Sequence, residues 1–435
     1  MLSVDSSTAS SPLTASVVVV TYNSERFVSQ CLQALLESTY PVSQIVVVDN
    51  ASADDSVHVV ESDFSSIQVI RSPRNLGFAG ACNLGLAQAR GQIIALVNPD
   101  VQVHPAWLGK LVGAIARDPL VAIAGGKLLF PDGQTIQHAG ASIRYPLALS
   151  DHYGYRQKDD GRWDKLRDVE YVTGAALAIR REALELLGGF DERFHPAYYE
   201  DADLCWRARK AGFRVLYVPS AVGIHHESTS PGRQNYARYY YFHVNRLRFV
   251  LAHYSRDQLM RDFFPAEHAY LETISPEIEI RAIARSYTEI LESLQARASG
   301  EADAQVAEVK DVTGDSSLLE EMERLQRHGG RRSHERSLAA SAAGVISEMS
   351  EIREIPEPVF DSKLPLLGPM IASFRSAWNW VSTKWYVRQI LKEQNEVNAR
   401  LAGCVNDLAH QLIDLQKRVD EMELGTGNRE MGSRE

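Results

Sequence analysis

Residues 16–23 read SVVVVTYN, a continuous β-branched run that ends in polar residues. Such a run is typical of a strand buried on both faces of a parallel sheet. Similar runs recur at residues 45–48 (IVVV) and 93–97 (IIALV), with a weaker one at 68–70 (QVI). Helical patterns separate these runs, over residues of about 26–37, 54–63, 79–89 and 105–117. The alternation predicts an α/β fold with an open, mostly parallel sheet flanked by helices.

The composition excludes several classes of protein. Of 435 residues, 45% are hydrophobic and 23% charged, which is typical of a globular protein and not of a disordered one. The net charge of -10 argues against a general nucleic-acid binder. Four widely spaced cysteines fit neither a metal clip nor a disulfide framework: Cys31, Cys82, Cys205 and Cys404. Because we find neither a secretory signal nor an apolar run of about 18 residues, we expect a cytoplasmic protein.

Polar side chains follow the predicted strands at the points where the strands end. Ligands of an open α/β sheet bind beyond the carboxyl ends of its strands. A purely structural loop would need only turn-forming residues there. The tips of three strands therefore predict a ligand site: Thr21-Tyr22-Asn23, Asp49-Asn50-Ala51-Ser52 and Asn98-Pro99-Asp100.

An acidic cluster lies at a predicted helix start, where residues 198–207 read YYEDADLCWR. Helix capping alone would account for it, because acidic residues are favoured in a first turn. However, GGFDERF at 188–194 lies just upstream, and a strand that ends in His225-His226 lies downstream. With these neighbours, we predict that the carboxylates serve chemistry.

Eight segments together resemble the inverting, GT-A-type glycosyltransferases of family 2, in the rhamnosyltransferase-like branch that makes bacterial surface polysaccharides. They follow the family's order: VVVVTYNSE (17–25), VVVDNASADDS (46–56), NLGFAGACNLGL (75–86), LVNPDV (96–101), TGAALAIRR (173–181), GGFDERF (188–194), YEDADLCWRARKAGF (199–213) and HHESTS (225–230). The resemblance implies a GT-A fold and transfer of a sugar, with rhamnose a candidate. It implies a nucleoside-diphosphate sugar donor, UDP- or dTDP-linked by preference. The implied acceptor is a hydroxyl of a growing cell-surface polysaccharide or lipid-linked glycan.

The resemblance also implies a divalent cation, Mg²⁺ or Mn²⁺, that acts as a Lewis acid on the leaving diphosphate. The family's usual metal motif is Asp-x-Asp, but this chain has Asn98-Pro99-Asp100 instead. Asp100 is therefore the candidate ligand, and neutral Asn98 is a candidate for hydrogen bonding to the ribose or sugar. His225 resembles a histidine that completes the metal site in part of the family, and His226 is the competing assignment.

By the same resemblance, Asp201 is the catalytic base, with Glu200 as the runner-up that could also contact the sugars. A helix N-terminus is expected to lower the pKa of Asp201, although neighbouring Glu200 and Asp203 oppose this effect. We expect Asp203 to pair instead with Arg207, four residues on. Gly174 and Ala175 resemble the small residues that let donor and acceptor sugars approach.

The predicted nucleotide-sugar pocket joins the strand tips to the loop and helix that follow residue 74. Turn geometry alone is an equal explanation for Gly77. Together with Asn98 and Asp100, the predicted pocket residues are Thr21, Tyr22, Asn23, Asp49, Asp54, Asn75, Gly77 and Asn83.

The chain is predicted to divide into a disordered N-terminus (1–14), a GT-A domain (15–257), a helical extension (258–297), a flexible linker (298–360), an apolar docking segment (361–382), a coiled-coil helix (383–424) and a disordered tail (425–435). A heptad pattern predicts a homo-oligomer through 398–422, with intramolecular packing as the alternative. Contact with the inner face of the cell membrane is an alternative for 364–381, as is acceptor binding for the basic-aromatic helix at 238–254. A catalytically weak scaffold that recruits other enzymes through the coiled coil is the alternative function.

Overall fold

The computed structural model describes residues 12–226, 236–298, 315–351 and 403. Its strands are β1 (Ala15–Thr21), β2 (Val42–Asp49), β3 (Gln68–Arg71), β4 (Ile93–Val97), β5 (Val101–Val103), β6 (Val121–Leu129), β7 (Ile136–His138), β8 (Ala141–Arg144), β9 (Leu149–His152), β10 (Arg167–Asp168), β11 (Ala176–Arg180) and β12 (Arg214–His225). The four strands predicted up to residue 97 are all present.

The main sheet has the order β10-β12-β6-β11-β4-β1-β2-β3, with β5 paired to β12 and β7 to β6. Strands β1, β2, β3 and β4 pair in parallel, as do β6 and β12. Strand β11 runs antiparallel to both β4 and β6 and joins the two parallel groups. The prediction of an open, mostly parallel α/β sheet is confirmed. The carboxyl ends of β4 and β12 and the amino end of β11 consequently lie at one edge.

Helices flank this sheet. They are α1 (Glu25–Leu36), α2 (Ser56–Asp63), α3 (Gly77–Leu86), α4 (Trp107–Arg117), α5 (Arg181–Leu187), α6 (Glu200–Lys210), α7 (Tyr236–His253), α8 (Arg256–Gln258), α9 (Phe264–Thr273), α10 (Glu277–Ala298) and α11 (Ser316–Glu351). A π-helical turn, Leu259–Phe263, separates α8 from α9.

The centre of strand β1 shows why residues 17–20 are four consecutive valines. Its side chains alternate between the two faces of the sheet. Val17 and Val19 belong to one hydrophobic cluster, together with residues of α1 and α4. Val18 and Val20 belong to the other, with residues of α3. Since both faces are covered by helices, each of these four positions favours an apolar residue.

The hydrophobic core extends beyond residue 257, where the catalytic domain was predicted to end. Residues of α7, α9 and α10 share one hydrophobic cluster with the sheet. Inside 298–360, the range predicted as a linker, the structure has helix α11. Its buried Leu318, Met322 and Leu325 have helical spacing and belong to the same cluster. These three apolar residues are few among the polar residues of 298–360, so the composition of the whole range predicted a linker where the structure has a helix.

Residues 1–327 form one compact unit and 328–435 a second, within which the structure describes the helical residues 328–351 and Gly403. The segment 361–382 and the tail 425–435 lie outside the described residues, as does 383–424 apart from Gly403. No helix in the described part of the chain is long and apolar enough to cross a membrane. Its three cysteines, at positions 31, 82 and 205, are buried free thiols.

Candidate active site

The carboxylate that follows β4 faces the histidine that ends β12. Asp100 Oδ1 lies 3.2 Å from His225 Nε2, and the backbone N–H of His226 donates to the Asp100 carbonyl at 2.9 Å. His225 Nδ1 lies 2.6 Å from Gln137 Oε1. An amide oxygen at this distance favours the tautomer with its proton on Nδ1, in which the Nε2 lone pair faces Asp100. The ring of His226 instead packs against Phe27, with 5.6 Å between the ring centroids.

A positive charge between Asp100 and His225 would satisfy both groups, because two acceptors face each other in this tautomer. A second proton on His225 is one source. Burial raises the pKa of Asp100, but the hydrogen bond and charge of such an imidazolium outweigh burial and bring this pKa below its usual value. A divalent cation is the other source. One carboxylate and one imidazole suit Mn²⁺ better than Mg²⁺, which prefers oxygen ligands.

The predicted base lies in the first turn of α6. Asp201 Oδ2 accepts a hydrogen bond of 2.8 Å from the backbone N–H of Gly174. The next carbonyl, of Ala175, accepts one of 2.8 Å from the N–H of Asn98. A Cβ at Gly174 would lie 3.0 Å from the ring of Phe78, so glycine permits this close approach. The segment 173–175 therefore connects the base to the tip of β4 that carries Asp100.

Burial raises the pKa of Asp201, even though hydrogen bonds from Gly174 and Ala202 favour its ionised form. Burial and the charge of Asp201 raise the pKa of Glu200 well above its usual value. Glu200 is 6% exposed, and its Oε2 has no hydrogen-bond partner among the described residues. The expectation that the helix N-terminus lowers the pKa of Asp201 is wrong, because desolvation dominates. A raised pKa suits a base that works near neutral pH.

Replacement of Glu200 by Gln is expected to stabilise the protein increasingly as the pH rises above about 4.5, the ordinary pKa of Glu200. Because the folded protein holds this proton more tightly than the unfolded chain, the unfolding free energy of the wild type falls as pH rises through this window. Gln does not titrate and lacks this dependence. Urea unfolding at about pH 5 and about pH 8 measures the unfolding free energy of both proteins. An equal change in this free energy between the two pH values for wild type and variant would contradict the prediction.

The backbone that leads into α6 has an unusual conformation. Tyr198 and Tyr199 have φ values of 79° and 72°, a region that is costly for bulky residues. The hydroxyl of Tyr199 donates to the carbonyl of Ala148 at 2.6 Å, and its ring contacts Phe242 and Phe249 of α7. Helix α7 therefore determines where α6 begins. The sequence reasoning missed this role, since it requires contacts between distant segments.

Asp203 contacts two basic side chains, as expected for a structural carboxylate. Its Oδ2 lies 2.7 Å from Arg207 Nη2, which confirms the predicted pair. Its Oδ1 lies 2.8 Å from His253 Nε2 on α7.

The predicted nucleotide residues at the tips of β1 and β2 lie together. Thr21 is buried, whereas Tyr22 is 50% exposed. Asn23 Oδ1 accepts from the N–H of Ala53 at 2.8 Å, which joins the two loops. Asp49 is buried and accepts from the N–H of Ser52 at 3.2 Å.

Asp54 is engaged by the chain itself. Its carboxylate accepts from the N–H groups of Glu25 (3.0 Å) and Ser56 (3.1 Å) and from the Ser56 hydroxyl. Burial raises the pKa of Asp54, but these hydrogen bonds outweigh burial and lower it overall. Asp54 thus connects α1 to α2, and its predicted contact with the nucleotide stays a prediction.

Asn75 and Gly77 form the turn before α3. Asn75 Oδ1 accepts from the N–H of Gly77 at 2.8 Å and from the side-chain amide of Asn50 at 3.1 Å. Gly77 has a φ of 72°, and a Cβ there would lie 2.5 Å from His195 Nδ1. Turn geometry and close packing therefore explain Gly77 without a ligand.

Asn83 holds the GGFDERF segment. Its side-chain amide donates to the carbonyl of Phe190 (2.8 Å) and to Glu192 (3.0 Å), and its oxygen accepts from the N–H of Phe190 (2.9 Å). The structure thus assigns its polar atoms to the fold, and its predicted contact with the ligand stays untested.

Comparison with known proteins relates part of the chain to a described family. Residues 16–188 match the model of the family described as Glycosyl transferase family 2. This part of the chain belongs to glycosyl transferase family 2. The chain is 28% identical over 239 residues to the N-acetylglucosaminyl-diphospho-decaprenol L-rhamnosyltransferase of Mycobacterium tuberculosis (strain ATCC 25618 / H37Rv), covering 50% of this chain and 77% of the relative. It is 34% identical over 230 residues to an uncharacterized protein of Sinorhizobium fredii (strain NBRC 101917 / NGR234).

The alignment with the rhizobial relative covers 51% of this chain but only 25% of that relative, so the similarity spans a minor part of the longer protein's length. Among solved structures, a crystal structure of GalNAc-T7 with UDP, GalNAc and Mn²⁺ is similar with a TM-score of 0.47 and 17% identity, over 61% of this chain and 52% of that one.

Proposed function

We propose that this family 2 chain transfers a sugar from a nucleoside-diphosphate sugar to an acceptor hydroxyl with inversion, and that Asp201 is the base. The observation that carries the proposal is the position of Asp201. Its carboxylate accepts the N–H of Gly174. The next residue, Ala175, accepts the N–H of Asn98, which lies two residues before Asp100 at the tip of β4. The arrangement provides both a proton acceptor and a cation-binding pair at one edge of the sheet.

The chemistry assigned to Asp201 is a single displacement. Both of its oxygens accept a backbone N–H, Oδ2 from Gly174 at 2.8 Å and Oδ1 from Ala202 at 2.7 Å. Each carboxylate oxygen has a second lone pair, and we assign one of these to the acceptor hydroxyl. The hydroxyl proton passes to the carboxylate as the acceptor oxygen bonds to the anomeric carbon. The bond between that carbon and the diphosphate oxygen breaks at the same time, and the nucleoside diphosphate leaves with the electron pair. Glu200 is the alternative proton acceptor.

Asp100 and His225 are the residues that would hold a divalent cation. Among the described residues no cluster of three or more His, Cys, Asp or Glu side chains has metal-binding geometry, so the diphosphate would have to supply further ligands. When bound, the cation neutralises the leaving diphosphate. Asn98 adds no charge, and we assign it to hydrogen bonding with the ribose or sugar.

The name of the mycobacterial relative supports rhamnose as the donor sugar and a lipid-linked glycan as the acceptor. For the nucleotide, UDP or dTDP is proposed, with Asp49 beside the base. A catalytically weak scaffold is not favoured, because the acidic pair Glu200-Asp201 is intact. Self-association through 398–422 and contact with the inner face of the membrane stay predictions, since 361–402 and 404–435 lie outside the described residues.

A donor screen tests the proposal. Purified full-length chain is incubated with UDP-, dTDP- and GDP-linked sugars and Mn²⁺ or Mg²⁺, and release of nucleoside diphosphate is measured with and without a chelator. We expect release with one nucleotide class and its loss on chelation. Failure of every donor to bind or react in the presence of either metal would contradict the proposed function.

The two adjacent histidines offer a matched test of the metal site. His225→Ala is expected to weaken Mn²⁺ binding by about 10-fold or more, because its Nε2 faces Asp100. His226→Ala is expected to leave Mn²⁺ affinity within about twofold of wild type, because its ring packs on Phe27. Mn²⁺ affinity is measured by electron paramagnetic resonance in the presence of UDP or dTDP. The reverse order of effects would assign the site to His226.

A further inference from the structure

Strand β7 lies between the two halves of the candidate site. It has only three residues, Ile136–His138, all of them buried, and it pairs with the end of β6. Successive side chains of a strand point to opposite faces. Gln137 and His138 are therefore adjacent in sequence but directed to different neighbours.

Gln137 contacts the metal half of the site. Its Oε1 lies 2.6 Å from His225 Nδ1, and the side of His225 that bears Nε2 faces Asp100 at 3.2 Å. An oxygen acceptor at Nδ1 determines the tautomer, orients the ring and raises the basicity of Nε2. Gln137 is 6% exposed, so water does not readily replace it.

His138 contacts the base half. Its Nε2 accepts from the backbone N–H of Thr173 at 3.3 Å, which requires the ring proton to sit on Nδ1. That nitrogen lies 3.1 Å from His152 Nδ1, the acceptor for this proton. Thr173 directly precedes Gly174, whose N–H binds Asp201. His138 thus anchors the start of the segment that holds the base.

We propose that Gln137 and His138 are positioning residues that fix the metal ligand and the catalytic base relative to each other through strand β7. This inference rests on the proposed function. Gln137 acts on His225, and His138 acts on Asp201 through segment 173–175. Neither residue was singled out in the sequence, because an isolated Gln-His pair has no motif.

The proposal predicts that the two neighbours produce separate defects. Gln137→Leu removes the acceptor and is expected to weaken Mn²⁺ binding by about 10–100-fold, the usual effect of losing an outer-shell partner. Gln137→Glu keeps an oxygen at this position and is expected to retain most of the affinity. Mn²⁺ binding is measured directly by electron paramagnetic resonance with UDP or dTDP present, so this readout does not depend on turnover.

His138→Phe keeps a ring but removes the acceptor for Thr173. We expect Mn²⁺ affinity to change less than about twofold, while kcat falls by about 10-fold or more. The acid limb of the pH profile of kcat should move to higher pH. Once Thr173 loses its acceptor, the hydrogen bond from Gly174 to Asp201 weakens, and a weaker bond favours the protonated form of Asp201. Ile136→Val on the same strand is the matched control, and we expect it to lower stability slightly without changing either readout.

The outcomes are distinguishable. Unchanged Mn²⁺ affinity in Gln137→Leu, or an unchanged kcat and pH profile in His138→Phe, would overturn the proposal. Equal loss of Mn²⁺ affinity and of kcat in Gln137→Leu, His138→Phe and Ile136→Val would show that β7 is only structural. A wild-type protein that binds no Mn²⁺ and transfers no sugar would instead reject the proposed function itself. Thermal unfolding of each variant confirms that it is folded before these comparisons.

Discussion

Replacement of Asp201 by Asn is expected to lower kcat by about 10²–10⁴-fold, the range for loss of a general base. Asn has nearly the same volume, and its one oxygen still accepts the N–H of Gly174, which binds Asp201 Oδ2 at 2.8 Å. The N–H of Ala202, which binds Oδ1 at 2.7 Å, loses its acceptor, a small loss beside that of the base. The fold and the donor site should therefore be retained, and only proton transfer should be lost. Single-turnover transfer to a glycan acceptor measures the rate, and calorimetric titration with the nucleotide sugar measures binding.

Glu200→Gln is the matched comparison, since it neutralises the neighbouring carboxylate in the same helical turn. If Asp201 is the base, the Gln variant should retain far more activity than the Asn variant. The wild-type acid limb should lie above the ordinary pKa of 3.8 for Asp, because burial raises the pKa of Asp201. Near-wild-type turnover of Asp201→Asn together with an inactive Glu200→Gln would move the role to Glu200.

Strands with a strong local pattern could be predicted from the sequence. The valines of β1 are buried on both faces, so each residue carries the same signal. The position of Asp100 beyond β4 follows from the parallel sheet, and its approach to His225 depends on where β12 ends. Both positions follow from the strand order and strand directions, which bring the carboxyl ends of β4 and β12 to the same edge of the sheet.

Other features could not be predicted, because they depend on contacts between distant segments. The raised pKa of Asp201 arises from burial that the helix pattern does not reveal. Asn83 has the residue type of a ligand-binding side chain, yet Phe190 and Glu192 bind its amide. Gln137 contacts His225, which lies 88 residues further along the chain, and no local pattern in the sequence indicates this contact.

Arg246 and Glu267 form the other site at which a single substitution should have a large effect. Both side chains are 0% exposed, and Arg246 Nη1 lies 2.8 Å from Glu267 Oε2. The second guanidinium nitrogen, Nη2, binds the other carboxylate oxygen, so the pair is bidentate. The pair joins α7 to α9, and both residues lie beyond the matched family segment 16–188.

Arg246→Met is expected to reduce the unfolding free energy by about 3–5 kcal/mol, because Glu267 would be left as a buried charge without its partner. The double variant Arg246→Met/Glu267→Leu removes both charges and should recover most of this loss. Urea unfolding of wild type, both single variants and the double variant completes the cycle. Single variants that cost less than about 1 kcal/mol, or a double variant whose loss equals the sum of the single losses, would contradict a coupled buried pair.

Loss of Arg246 should also affect Asp201, the proposed base. Arg246 Nη1 donates to the carbonyl of Leu147 at 2.8 Å, and the next carbonyl, of Ala148, accepts from the Tyr199 hydroxyl at 2.6 Å. Tyr199 directly precedes the helix that carries Asp201. Without Arg246 the carbonyl of Leu147 loses its hydrogen bond, and the neighbouring carbonyl of Ala148 is held less firmly for the Tyr199 hydroxyl. We therefore expect kcat of Arg246→Met to fall under conditions in which the variant is still folded. Because the double variant keeps the packing but not this hydrogen bond, it should recover stability without recovering full activity.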